Sequence, residues 1–222
     1  MRLEVVQTED GSHTLYVPEL DENYHSVKGA IQESRHVFIN AGFLNLDKPN
    51  IKIFEVGFGT GLNALLTYLE AQKNNINVTY HTIEKFPLDN KLLKKLNYIK
   101  ILGRKSEDSF QKIHNSQWNI NFKISDFFCL KKIKADLNLH DLSDGYDLIY
   151  FDAFAPDVQP EIWCENNFRK IKNAMNPNGI LTTFSSKSSV RRTLENLGFE
   201  VEKLPGPPGK REIIRATVLK NN

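Results

Sequence analysis

The chain has 222 residues, 40% hydrophobic and 25% charged, with 12 Gly and 9 Pro. That is the balance of one large globular domain with a sizeable core, and it excludes disordered, collagenous and low-complexity classes. No apolar run approaches the roughly 20 residues that cross a bilayer, two cysteines and six scattered histidines match no disulfide or metal pattern, and a net charge of +2 leaves nucleic-acid binding to be decided by where the bases lie.

The first ten residues, Met1 to Asp10, have neither a basic start followed by an apolar stretch nor a transit composition, so a cytoplasmic protein is expected. Residues 3–8 and 14–17 read as strands joined through Asp10-Gly11, and a helix follows around 29–39. These form an amino-terminal cap over 1–45, ahead of a main domain over 46–222. From Ile51 onward short β-rich runs alternate with amphipathic ones, which predicts a parallel sheet with helices on both faces. The strands are expected at 51–56, 78–84, 120–125, 146–153 and 180–185, with helices at 62–73, 88–96, 107–116 and 160–175 between them. A helix at 188–197 closes on Gly198, and two last strands, 199–204 and 211–219, are separated only by a Pro/Gly loop. So short a connection makes a parallel crossover impossible, so this pair must be antiparallel.

After the first strand of the main domain stands Glu55-Val56-Gly57-Phe58-Gly59-Thr60-Gly61-Leu62-Asn63. Glycines there let the backbone approach a nucleotide and leave the first N–H groups of the next helix free to face it. A nicotinamide-binding turn needs its third glycine at position 62, where Leu62 stands, so a dehydrogenase is disfavoured. The acid-preceded G-x-G-x-G form instead resembles class I methyltransferases that use S-adenosylmethionine. That resemblance implies a Rossmann-like, seven-stranded sheet with the last strand antiparallel. It also implies that Glu55 holds the methionine end and that Gly57, Phe58, Gly59, Thr60, Gly61 and Asn63 surround the cofactor. Glu84, 23 residues after Gly61 and beside Lys85, is placed to accept from ribose hydroxyls, or is a surface carboxylate. Asp126 after the third strand is placed to accept from the adenine amino group with Phe127 covering the ring; a helix N-cap is the other reading of Asp126.

The match becomes specific further along. The pieces are Gly57 to Asn63, Glu84-Lys85-Phe86-Pro87-Leu88, Asp152-Ala153-Phe154-Ala155-Pro156 with Pro160-Glu161-Ile162-Trp163, Thr182-Thr183-Phe184-Ser185, Val190-Arg191-Arg192, Gly209-Lys210-Arg211-Glu212 and Glu33 to Phe38. Together they resemble the methyltransferase part of the MnmC family, which completes 5-methylaminomethyl(-2-thio)uridine at the wobble position of tRNA. The resemblance implies an S-adenosylmethionine-dependent N-methyltransferase acting on the 5-aminomethyl group, with tRNA as partner. The family's flavin-dependent part is expected to be absent, so a separate enzyme would supply the aminomethyl substrate. The chain departs from the family at Pro205-Gly206-Pro207-Pro208, where prolines stand for aromatic and basic residues.

Asp152 ends the fourth strand, where a carboxylate can accept from the amine N–H, aim its lone pair and disperse the charge that develops on nitrogen. Its other reading is a loop or helix cap. Phe154 is placed to stack on a flipped base with Pro156 stiffening the wall, while Trp163 and His36 read as packing. Bases cluster at 91–105, at 131–134, at Lys187, Arg191 and Arg192, and at Lys210, Arg211 and Arg215. The groups Lys187–Arg192 and Lys210–Arg211 are preferred as the tRNA surface over 91–105, because they follow strands ending near the active-site rim. A small-molecule amine methyltransferase and a noncatalytic adaptor on the same scaffold are the competing classes; the intact glycine loop with Asp152 argues against the adaptor.

Overall fold

The structure is a computed structural model that describes residues 2–219. Its amino-terminal part is a three-stranded antiparallel sheet of β1 (Glu4–Gln7), β2 (His13–Val17) and β3 (Glu22–Asn23). The β1–β2 turn is held by the Asp10 carboxylate, which accepts from Thr8, from Ser12 and from the Gln32 amide of the following helix. That helix, α1 (Ala30–Ser34), continues as a π-helical turn over Arg35–Asn40.

The main sheet has eight strands in the order β10-β11-β9-β8-β4-β5-β7-β6. At its centre are β4 (Asn50–Val56) and β8 (Tyr146–Phe151), parallel to each other; every residue of β8 is buried, as expected of a strand covered on both faces. Beside β4 lies β5 (Asn77–Glu84), and beside β8 lies β9 (Met175–Thr183), both parallel. The terminal pair β10 (Phe199–Pro205) and β11 (Glu212–Val218) is antiparallel, and β11 is inserted antiparallel against β9. Helices α2 (Leu62–Asn74) and α5 (Glu107–Asn115) pack Leu65, Leu66, Phe110 and Ile113 on one face of the sheet. Helices α6 (Glu165–Ala174) and α7 (Ser188–Asn196) pack Phe168, Ile171, Val190 and Leu194 on the other. The 88–96 stretch is not one helix but a single turn, α3 (Asn90–Leu93), followed by a second, α4 (Tyr98–Leu102).

One strand was hidden in the sequence. The run expected as the third parallel strand is instead an antiparallel edge strand, β6 (Asn121–Ser125), and the parallel neighbour of β5 is β7 (Phe128–Lys134). Phe128, Leu130 and Ile133 of β7 are buried, but the intervening lysines give the run the look of a basic surface cluster. Lys132 is itself 1% exposed: its ammonium donates to the His114 carbonyl at 2.8 Å and lies over the Phe58 and Trp118 rings. Burial pushes its pKa down to about 8. The sheet therefore has eight strands rather than seven, and Asp126-Phe127 form the β6–β7 turn. Strand order reverses between β4 and β8, so the carboxyl ends of these strands open a crevice at the switch point.

Candidate functional site

Three strand ends are tied together at the crevice. The Gly57 amide donates to the Ile83 carbonyl at 3.0 Å, and the Asp152 amide donates to the Val56 carbonyl at 2.9 Å. Gly57 has φ +89°, and a Cβ on it would lie 2.3 Å from the Asp152 carbonyl oxygen, so only glycine lets the loop run this close to Asp152. At Gly61, φ +70°, a Cβ would meet the His114 imidazole at 2.8 Å. The loop thus rests on a bed of His114, Phe58 and Trp118, whose rings pack with centroids 5.8 and 5.9 Å from that of Phe58. Phe58 lines the cavity and is also part of the buried core. Tyr98 fastens the loop from the side, its hydroxyl donating to Thr60 Oγ1 at 3.2 Å.

Above the loop is a cavity of about 460 Å³, within the range of small-molecule and cofactor sites. Its floor is the glycine loop and Glu84, whose two carboxylate oxygens accept from the Gly59 amide at 3.1 Å and the Phe86 amide at 2.8 Å. Its roof comes from the amino-terminal sheet through Tyr24 and His25. Across the mouth Lys85 pairs with Asp136 at 2.9 Å, and that contact holds the Asp136 carboxyl below the usual range.

Two carboxyl groups sit where β4 and β8 end, Glu55 buried and Asp152 half-buried. Glu55 is 0% exposed, and neither of its oxygens makes a hydrogen bond of good geometry. Burial pushes its pKa up to about 8; the nearby Thr82, Asn63 and Tyr80 side chains pull it down only in part, and Asp152 adds to the rise. Asp152 lines the cavity and receives a single side-chain donor, Asn63 Nδ2 at 2.8 Å. Desolvation lifts its pKa to about 7 against that hydrogen bond, with Glu33 adding to the rise and Lys210 opposing it. The Glu33 carboxylate accepts from Lys210 at 2.5 Å and from the Ser26 amide at 2.6 Å, while the Lys210 ammonium lies 4.3 Å from the Phe184 ring centroid. This pair joins the cap to the β10–β11 loop. Phe154 meets Tyr24 edge to face at 5.1 Å, making an aromatic corner beside Asp152.

The cavity brings together Gly57, Phe58, Gly59, Thr60, Asn63, Glu84, Lys85, Asp152, Phe154 and Lys210; Glu55 and Gly61 lie behind its wall. Asp126 and Phe127 are not there. Their turn lies at the amino end of β7, against a separate groove, and the Asp126 side chain is 97% exposed and paired with Lys123. The acid after the true third strand is Asp136, next to Leu137, both in the cavity. Pro156, Lys187, Arg191, Arg192 and Arg211 also lie outside it. Lys187 is paired with Asp157 and Arg191 with Glu195, both across the surface. The roof residues Tyr24 and His25 carry no motif, and Asp136 is missed with β7, whose buried Lys132 breaks the apolar alternation. Among the described residues no group of three His, Cys, Asp or Glu is arranged to hold a metal ion.

These residues fit an amino-acid-bearing sulfonium nucleoside. Glu84 lines the cavity, where its carboxylate can accept from a nucleoside's hydroxyls, and the Asp152 carboxyl, with Asn63 as its side-chain donor, favours a positively charged ligand. That combination is compatible with S-adenosylmethionine, on a class I methyltransferase fold. The chain belongs to the S-adenosyl-L-methionine-dependent methyltransferases: a family model of that description matches residues 95–219. It is 33% identical over 211 residues to the tRNA 5-methylaminomethyl-2-thiouridine biosynthesis bifunctional protein MnmC of Leptospira borgpetersenii, covering 87% of this chain and 32% of that protein. The MnmC of a Marinomonas species is 28% identical over 214 residues, covering 88% and 31%. The chain therefore spans about a third of the length of these curated relatives. Among solved structures, MnmC2 from Aquifex aeolicus superposes with a TM-score of 0.81 at 27% identity, covering 100% of this chain and 71% of that one. Spermidine synthase from Thermotoga maritima shares the fold at 13% identity and a TM-score of 0.57.

Proposed function

We propose that this chain methylates the 5-aminomethyl group of wobble (2-thio)uridine in tRNA, giving the 5-methylaminomethyl nucleoside. The observation that carries this reading is Asp152: a carboxylate with one hydrogen-bond donor, at the end of β8, between the cofactor loop and the aromatic corner of Phe154 and Tyr24. Bound S-adenosylmethionine supplies an electrophilic methyl group. The chain must present to it a neutral amine, since an ammonium has no lone pair. Asp152 accepts from the amine N–H, fixes the direction of its lone pair and stabilises the positive charge forming on nitrogen. With its acidity near neutrality, the same carboxylate can take up the proton that the methylated amine sheds.

Phe154 and Tyr24 give the base a flat apolar flank, and Lys210 stands at the rim to donate to a pyrimidine carbonyl. Residues 1–45 act as a cap on the substrate side, and 46–222 as the catalytic domain. Such a substrate places the enzyme in the cytoplasm, alongside a separate activity that supplies the aminomethyl nucleoside. The similarity to MnmC proteins over most of this chain favours tRNA over a free amine. The test is incubation with labelled S-adenosylmethionine and tRNA lacking only the last methyl, followed by digestion. Label in 5-methylaminomethyl(-2-thio)uridine is the expected result; label only on small amines would replace this reading with the small-molecule one.

A further inference from the structure

The segment between β5 and α5 is the most one-sidedly charged stretch of the chain. From 90 to 106 it holds Lys91, Lys94, Lys95, Lys100, Arg104 and Lys105 and no Asp or Glu. All six bases are exposed, while Leu93, Leu96 and Tyr98 are buried beneath them, so the segment presents a basic outer face on an apolar inner one. Among the described residues none of the six side chains joins an ion pair. Most bases near the carboxyl-terminal strands behave differently: Lys187, Arg191, Lys203, Lys210 and Arg215 each have a carboxylate partner, whereas among the described residues Arg192 and Arg211 have none. A base already paired gains less from a phosphate, because the existing contact must be broken first.

The segment is also tied to the amino-terminal sheet and to the glycine loop. It leaves the rim through Lys85 and the 61% exposed Phe86. Asn97 then clamps the β1–β2 turn, accepting from the His13 amide at 2.8 Å and donating to the Gly11 carbonyl at 2.8 Å. The next residue, Tyr98, reaches the glycine loop at Thr60. The backbone that carries these charges is thereby held in a set position, following directly on the rim residues Lys85 and Phe86, instead of forming a loose tail.

We propose that residues 90–105 are the phosphate-docking face for the RNA backbone whose base enters the cavity; this rests on the tRNA reading above. A base small enough for the cavity leaves its flanking nucleotides outside, and those carry one negative charge each. Phosphate contacts of this kind set the register of an RNA on its protein without reading sequence. The face thus supplies affinity and placement, and the Phe154–Tyr24 corner and Asp152 supply selection and chemistry.

The experiment compares three proteins: wild type, a variant with all six bases changed to Gln, and a control carrying Lys187→Gln with Arg191→Gln. Gln removes the charge while keeping a polar side chain of similar helix propensity. Calorimetry with S-adenosylmethionine checks that each variant folds and binds cofactor. Transfer RNA binding is then measured against salt, where the slope of log affinity falls by about 0.7 to 0.9 for each lost phosphate contact. The expected result is wild-type cofactor affinity in all three, a loss of tRNA affinity of at least a hundredfold with a shallower slope in the six-base variant, and little change in the control. Should the six-base variant fail to fold, Lys94→Gln and Lys100→Gln singly must each flatten the slope by close to one unit. A wild-type slope in the six-base variant, or in both single variants, overturns the docking face while leaving the methylation reading intact. Absence of salt-dependent tRNA binding by the wild type itself would overturn both.

Discussion

Strand β8 carries an aspartate at each end, and the two are treated in opposite ways. Asp147, at the amino end, accepts from Lys48 at 2.6 Å, from the Lys52 amide at 3.0 Å and from Asn176 at 2.8 Å. Burial alone would raise its pKa, but these donors together bring it below the usual value. Asp152, just past the carboxyl end, has only Asn63, and its pKa stands at about 7. Satisfying a buried carboxylate makes it a structural clamp, whereas leaving it undersatisfied keeps it able to exchange a proton near neutral pH. The difference follows from topology: a ligand crevice lies at the carboxyl ends of parallel strands, and donors that filled Asp152 would also fill the site.

The largest effect that would break this comparison is on catalysis. Asp152→Asn should lower single-turnover methyl transfer at saturating S-adenosylmethionine by roughly a hundredfold or more, with the melting temperature no lower than wild type. Equal turnover would make Asp152 a loop residue. Asp147→Ala should do the converse. Removing the acceptor of three hydrogen bonds should cost about 2 to 3 kcal/mol in urea unfolding, with turnover of the folded fraction within about twofold of wild type, since the change lies at the far end of β8. A stable but inactive Asp147→Ala would erase the distinction between the ends.

Smaller effects sharpen it. Asn63→Ala removes the one donor that lowers the pKa of Asp152. The carboxylate then forms only at higher pH, so activity at pH 7 should drop about tenfold for each unit of that shift and recover as pH is raised. A loss that does not recover would assign Asn63 to cofactor binding alone. Glu55→Gln tests stability. The folded pKa of Glu55 is about 8 against an ordinary 4.5, so folding takes up a proton between those values and stability must fall as pH rises through that window. Melting temperature measured from pH 5 to pH 8.5 should decline in the wild type and decline less in Glu55→Gln; identical slopes would mean that Glu55 does not hold that proton.

The same contrast explains what could be read from the chain beforehand. The alternation of the main domain, the glycine loop, Glu84 and the strand-end Asp152 are local signals, each within a dozen residues, and they place the crevice. Strand β7 was obscured because Lys132, buried against Phe58 and Trp118, satisfies its ammonium on the His114 carbonyl, a partner 18 residues away that no periodicity reveals. Missing β7 put the third acid at Asp126 rather than Asp136. Which bases are neutralised is hidden for a similar reason, since it depends on contacts such as Glu33 with Lys210, 177 residues apart. The cap residues Tyr24, His25 and Glu33 reach the cavity only through tertiary packing of the amino-terminal sheet.

The most direct test of the proton-exchanging role of Asp152 is kcat/KM for tRNA methylation as a function of pH at fixed ionic strength, for wild type and Asp152→Asn. In the wild type both the substrate amine and Asp152 must lose a proton, so log kcat/KM should rise with a slope approaching two at low pH. It should bend to a slope of one at pH 7 or below, because a cationic cofactor beside the carboxylate pulls its pKa down from about 7. The mutant, with only the amine left to titrate, should show unit slope throughout and lie below the wild type. Parallel unit slopes in both proteins, with no bend in the wild type, would contradict the account.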